Sequence, residues 1–296
     1  MRRSFLLLAA LVAGVSTSAC NDPNLTRLNF GRTAIATGDF DTGQQLIQEV
    51  ANTTTVEADI HYYDGYIDGP HFETETDIQP GDLALQVEDL LRADTSQGLD
   101  QFDTTFLSCG MRGVADHVYN GVAEDNHLVE DGTVIANLTE ALSHGGALYF
   151  SDWTYDLIEA TWPERVTWAG DEDELDDAQR GKAGPVNARV VSEELATFME
   201  VGVGDEIEIV FNQGGWAVPL AVADDVEVLV EADIEYDDPI TGEFVLRNDV
   251  PLVFSFTDAG RVVYTAFHNE AQITDDARDV LRFSLTRLSD AGSTSP

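Results

Sequence analysis

The chain has 296 residues and carries 15 Lys and Arg against 55 Asp and Glu, a formal net charge of −40. With 43% hydrophobic and 9% aromatic residues it can fill a real core, which excludes wholesale disorder, and its length fits one large domain better than two. So much negative charge repels phosphate backbones and argues against nucleic acid as a partner. Lys182 is the sole lysine; every other basic residue is an arginine. Such a balance suits a protein that stays hydrated in high salt, where screening relieves self-repulsion among carboxylates. A calcium-binding surface is the rival reading, but the acids are spread along the chain and not gathered into one ligand loop.

The first residues read as a sorting signal. Arg2 and Arg3 precede an apolar run over residues 5–15, too short to span a bilayer but suited to a signal-peptide core. Ser16, Thr17, Ser18 and Ala19 then lead into Cys20, a pattern similar to a bacterial lipobox, although Thr17 stands where leucine is usual. The expectation is cleavage after residue 19 and lipidation of Cys20, with two kinds of acyl chain giving a stable anchor. The alternative is ordinary secretory cleavage that leaves Cys20 a plain thiol. Asn21 in place of aspartate favours the outer membrane. The chain is thus expected outside the cytoplasm, with a membrane partner through its anchor and an unidentified protein or small-molecule partner beyond that. Lipidated Cys20 would leave Cys109 as a lone thiol, buried and inert or else reactive.

In chain order, residues 20–54 read as a lipidated tether, extended and polar over 21–40, followed by a short helix over 41–51. A strand follows at 56–63, then a loop rich in Gly, Asp and Pro. Asp82 is expected to cap a helix carrying Leu83, Val87, Leu90 and Leu91. Strands at 102–107 and 147–150 flank a helix at 133–142, which stops at His144, Gly145 and Gly146. A short helix at 155–161, an acidic loop at 171–177 and a helix at 192–199 come next. Strands at 206–211, 226–234, 251–256 and 261–267 precede a terminal helix at 275–288, and residues 291–296 read as a frayed tail. Strand–helix alternation implies right-handed crossovers and a doubly wound, mostly parallel α/β sheet over residues 55–290. An antiparallel hairpin, turned at Asp258, Ala259 and Gly260, is expected to extend or cover one sheet edge.

Three segments carry a family resemblance: FDTTFLSCG (102–110), GGALYFSDWTYDLIE (145–159) and GRVVYTAFHNEAQ (260–272), with PLVFSF just before the last. In that order they resemble the class I glutamine amidotransferase-like fold, in a divergent form found in exported bacterial proteins. Catalytic members of that superfamily place a cysteine on a tight strand-to-helix turn flanked by glycines, and a His and a Glu two residues apart after a late strand. His268 and Glu270 reproduce the late pair. The turn after strand 147–150 instead reads Ser151, Asp152, Trp153, without cysteine or flanking glycine. Cys109 falls one strand earlier, where relatives carry a glycine-rich oxyanion loop. The resemblance therefore implies a fold that has lost glutamine hydrolysis.

Five residues are the catalytic candidates: Cys109, Ser151, Asp152, His268 and Glu270. In the hydrolase reading, His268 deprotonates Cys109 or Ser151 and Glu270 orients the imidazole. In the structural reading, Cys109 is a half-buried space filler, Asp152 caps the next helix and Trp153 plugs the sheet end. His61, His71, His117, His127 and His144 lack metal-ligand spacing, as do Asp64, Asp68, Glu73, Glu75 and Asp77, and Asp39 with Asp41 falls short of a calcium loop. No metal or other cofactor is expected. Trp162, Trp168 and Trp216 read as packing residues before sugar platforms. The function expected from sequence is a non-catalytic binding or scaffolding module at the cell envelope, with the hydrolase as alternative.

Overall fold

The computed structural model describes residues 28–41, 43, 46–47, 55–66, 85–93, 98–114, 118–119, 122–123, 127–170, 178–267 and 274–292. Its strands, in chain order, are β1 (Leu28–Ala36), β2 (Val56–Tyr63), β3 (Thr104–Leu107), β4 (Val118–Tyr119), β5 (Val122–Ala123), β6 (Ala147–Ser151), β7 (Val166–Trp168), β8 (Gly184–Val190), β9 (Glu206–Phe211), β10 (Pro219–Val222), β11 (Glu227–Asp237), β12 (Phe244–Thr257) and β13 (Arg261–Thr265). The helices are α1 (Val87–Leu91), α2 (Gly132–Ser143), α3 (Tyr155–Thr161), α4 (Glu193–Met199) and α5 (Asp275–Gly292).

Among the described residues one nine-stranded sheet runs β2-β1-β3-β6-β13-β12-β11-β8-β9. From β2 to β13 every pairing is parallel; from β13 to β9 every pairing is antiparallel. The result is a mixed sheet of α/β type, whose parallel half has the 2-1-3-4-5 order of one doubly wound class. The antiparallel part is larger than the single hairpin expected at an edge. β13 lies in mid-sheet, where its parallel pairing with β6 and its antiparallel pairing with β12 join the halves.

The polar tether expected over 21–40 is corrected from Leu28 onward. Residues 28–36 form β1, inserted between β2 and β3. A bulge hides the strand in sequence: register shifts between Asn29 and Gly31, and Gly31 has φ 60. A Cβ on Gly31 would lie 2.1 Å from the Asp103 carboxylate, whose Oδ2 accepts the Arg32 N–H at 2.8 Å. This break in two-residue alternation removes the pattern by which a half-buried strand is recognised. α1 also begins later than expected. Gln86 is its N-cap in a capping box with Asp89, whereas Asp82 and Leu83 lie outside the described residues.

The parallel strands at mid-sheet are buried, as a strand covered on both faces requires, whereas the edge strand β2 is mostly half-buried or exposed. Every residue of β3 and β6 is buried. Residues opposed in register share a face, so Leu107, Phe150, Tyr264 and Phe254 point one way and Phe106 with Tyr149 the other. On the first face Trp162 packs edge-on to Phe150, and Trp168 to Tyr264 with centroids 5.3 Å apart. On the second, Gly43 lies against Ile35 and Phe106, beside the buried Leu46 and Ile47. α2 is held by its Asp131 cap, which accepts the Thr133 N–H, and buries Val134, Leu138, Ala141 and Leu142 at helical spacing.

α5 runs against β1, β3, β6 and β13 and also reaches the edge strand β9. There the Glu208 N–H donates to Asp276 at 2.9 Å, and the Thr274 hydroxyl donates to the Glu208 carbonyl at 2.6 Å. The helix start thus occupies backbone groups that an open sheet edge would present to another strand. At the base of β11 and β12, Asp249 has φ 55, and Arg189 reaches Asp249 at 2.6 Å, Asp233 at 3.0 Å and Glu231 at 3.4 Å. No described helix is long and apolar enough to cross a membrane.

Candidate functional site

Open α/β sheets bind ligands beyond the carboxyl ends of their parallel strands, at the point where strand order reverses. Here that point lies between β1 and β3. The chain leaves β1 through residues 37–41 and β3 through residues 108–114, and the two loops touch. Asp39 donates its N–H to the Gly110 carbonyl and Phe40 to that of Cys109, both at 3.2 Å. A Cβ on Gly38 would stand 2.2 Å from the Cys109 carbonyl oxygen, so only glycine allows this approach. A Cβ on Gly65 would come as close to the Thr37 carbonyl oxygen, at 2.2 Å. Loop on loop closes the crevice.

Ser151 ends β6 beneath this closure. Its hydroxyl accepts the Cys109 N–H at 2.9 Å and donates to the Asp41 carboxylate in a short hydrogen bond. Its own N–H goes to the Thr154 hydroxyl at 2.9 Å. Asp152 follows with φ 43, a left-handed conformation that a side chain adopts only under constraint. Its Oδ1 accepts the Ala217 N–H at 2.8 Å, and its Oδ2 lies 3.7 Å from the Cys109 sulfur as acceptor of the thiol proton. Trp153 covers the sheet end, edge-on to Phe40 at 5.1 Å, and donates its indole N–H to the Gly215 carbonyl. The backbone N–H of Trp153 is directed at the Cys109 sulfur.

The structure therefore brings together Cys109, Ser151 and Asp152. His268 and Glu270 lie outside the described residues, as do Cys20, His71 and His117. Two expectations need correction. Cys109 is not half-buried but 1% exposed, and Asp152 does not cap the following helix. Ser151 is the N-cap of the 3-10 turn at 152–154 and Thr154 that of α3, while the Asp152 carboxylate crosses to Ala217.

Burial raises the Cys109 thiol well above its usual pKa of 9.0, and the neighbouring Asp152 carboxylate pushes it the same way. The sulfur is held as a thiol at neutral pH and lacks the thiolate needed for attack. Tyr149 and Tyr264 are likewise raised by burial; the first hydrogen-bonds the Thr265 hydroxyl at 2.8 Å and the second donates to the Asp152 carbonyl. The cleft between Phe40, Cys109, Asp152, Trp153, Gln213 and Trp216 has a volume of about 10 Å³, the room of a single water.

Asp41, weighed in the sequence only as part of a calcium loop, is the residue whose place in the site sequence reasoning missed. Its signal was its distance from the end of β1, which is invisible while β1 goes unseen. Among the described residues no group of three or more His, Cys, Asp and Glu side chains is placed to hold a metal ion. His61 contacts Asp59 and Arg32, His127 contacts Glu88, and Asp64 takes part in the turn before α1. Trp162, Trp168 and Trp216 are all buried, and Trp216 stacks on Phe211 with centroids 4.1 Å apart.

No protein-family model matches the sequence, and no curated protein matches it. Among solved structures, a protein from Thermoplasma acidophilum, provisionally described as one of the subunits of GMP synthase, aligns with a TM-score of 0.46 at 12% identity, over 88% of this chain and 95% of that one. PurLQS from Thermotoga maritima aligns with a TM-score of 0.38 at 10% identity, over 74% of this chain and 87% of that one. The α/β assignment rests on the strand pairing itself.

Proposed function

We propose that the chain is an exported, lipid-anchored envelope protein whose domain is a divergent, non-hydrolytic relative of the class I glutamine amidotransferases and serves as a binding or scaffolding module. The observation that carries this reading is Asp152. It occupies the positive-φ position of the strand-to-helix turn, where such chemistry needs an exposed nucleophile, and both its oxygens are already engaged. Support comes from the neighbours. Cys109 is a buried thiol, the Ser151 hydroxyl is committed to Asp41, and the Trp153 N–H that could serve an oxyanion is spent on sulfur. The alternative hydrolase would use Cys109 or Ser151 with His268 and Glu270.

Ammonia release from glutamine and ester hydrolysis, measured on the full chain and on His268→Ala, separate the two. No turnover above the blank is expected; turnover that depends on His268 would overturn the proposal. The anchor has its own test. Mass analysis of the mature protein is expected to find an acylated Cys20 at its N-terminus, and Cys20→Ala to move the protein from the membrane to the soluble fraction. An unmodified Cys20 thiol would reject lipidation.

A further inference from the structure

Five large apolar side chains are exposed among the described residues, and three of them, Ile240, Phe244 and Leu246, belong to β12 and the turn that leads into it. Phe244 is 69% and Leu246 63% exposed. In the ladder Phe244 stands opposite Asp237, and Leu246 opposite Glu235, so two apolar and two acidic residues share a face. Beside them a trough of about 470 Å³ is lined by Lys182, Asn187, Arg189, Glu206, Asp233 and Glu235, a size within the range of ligand sites. Both of its cations are already used. Lys182 pairs with Glu235 at 3.4 Å and sits 3.7 Å over the Phe244 ring, while Arg189 is held by Glu231, Asp233 and Asp249. Counting Glu231 and Asp249, five carboxylates surround these two cations and leave the trough acidic.

From this we infer that the solvent face of β8, β11 and β12 docks a basic polypeptide segment that carries apolar side chains. Charge complementarity selects the occupant. A second copy brings another net charge of −40, and an anionic lipid surface meets the acidic rim with repulsion. A cationic segment gains in both respects, with its apolar residues on Phe244 and Leu246 and its cations over Glu206, Asp233 and Glu235. An apolar centre with a charged rim is the anatomy of a protein interface. The inference rests on the reading of the domain as a binding module but uses none of the residues around Cys109.

The probe is a short labelled peptide alternating lysine and leucine, titrated with the full chain at low salt and at about 1 M salt, where the screening length falls to about 3 Å. The double variant Phe244→Ser, Leu246→Ser is expected to weaken binding about tenfold or more, whereas Val203→Ser, exposed elsewhere, leaves it unchanged. A lysine–serine peptide is expected to bind about tenfold more weakly than the lysine–leucine one. Glu206→Gln with Glu235→Gln is expected to flatten the salt dependence. These residues are on the surface, and melting curves check that each variant folds. Equal binding by all variants and by both peptides would reduce the effect to diffuse charge and overturn the inference. Self-association in sedimentation, or binding to neutral phosphatidylcholine vesicles, that vanishes with Phe244 and Leu246 would overturn it in favour of a second copy or a membrane. Ammonia release is read on the same samples: turnover with docking intact overturns only the non-hydrolytic reading, and silence without docking overturns only this one.

Discussion

Replacing Gly38 by alanine tests whether the crevice between β1 and β3 is closed by backbone contact. The new Cβ would stand 2.2 Å from the Cys109 carbonyl oxygen and 2.9 Å from that of Ser108, both main-chain atoms that no rotamer change can move. The loops must separate by about 1 Å, which strains the two hydrogen bonds from Asp39 and Phe40, each contributing about 0.5–1.5 kcal/mol. Overpacking adds about 1–3 kcal/mol, so the total loss is on the order of 2–6 kcal/mol. For a chain of this length that corresponds to a fall in Tm of roughly 3–10 °C by calorimetry. Gly132→Ala is the companion variant: nothing lies within 4 Å of its Cβ, the residue opens α2, and a gain of about 0.4–1 kcal/mol is expected. Separation of the loops is also expected to expose Cys109 to a thiol reagent before global unfolding. A Gly38→Ala protein that melts with the parent and keeps its thiol shielded would refute the closed crevice.

Other outcomes follow from the same network. Native Cys109 is expected to resist thiol reagents up to its usual pKa of 9.0 and to react only on unfolding; Asp152→Asn removes one cause of the raised pKa and is expected to shift reactivity to lower pH. Because Cys109, Tyr149 and Tyr264 keep their protons in the folded state, the unfolded chain releases protons first as pH rises. Stability, followed by urea midpoint, is therefore expected to hold below pH 9.0 and to decline above it. Asp152→Ala loses the acceptor of the Ala217 N–H while keeping a strained φ, a cost of about 1–3 kcal/mol. The Arg189 fork lowers the pKa of Asp233, so its contribution is present above the usual 3.8 and disappears as pH falls below it. Arg189→Lys is expected to weaken that limb in an acid titration.

What could be read in advance follows local pattern. α2, α3 and α4 have apolar stripes and definite stops, such as the left-handed Gly145 after α2, and β6 is an uninterrupted apolar run. β1 was hidden by its bulge and by Arg32, whose charge is met by the Phe102 ring and the neighbouring His61. β8 was hidden for another reason. It lies within the sheet, between β11 and β9, yet buries only Ala188 and Val190 fully and turns Pro185 and Asn187 outward, too little apolar material to register as a strand. The site suffered in proportion. Ser151 and Asp152 were visible as residue types at a strand end, but their partners Asp41 and Ala217 arrive from 110 and 65 residues away in sequence. Separations of that kind are set by topology and leave no local trace.

The position of β13 also orders events in time. Its five residues lie between β6 and β12, yet they come after every other strand of the sheet in the chain. Until residue 265 has emerged, the parallel and antiparallel halves have no seam to share. Only after that does α5 deliver Thr274 and Asp276 to β9. A chain growing from its N-terminus therefore holds two unfinished sheets apart until nearly its whole length is available. Loop-closure entropy is spent late, over long separations, and the final strand acts as the zip between them.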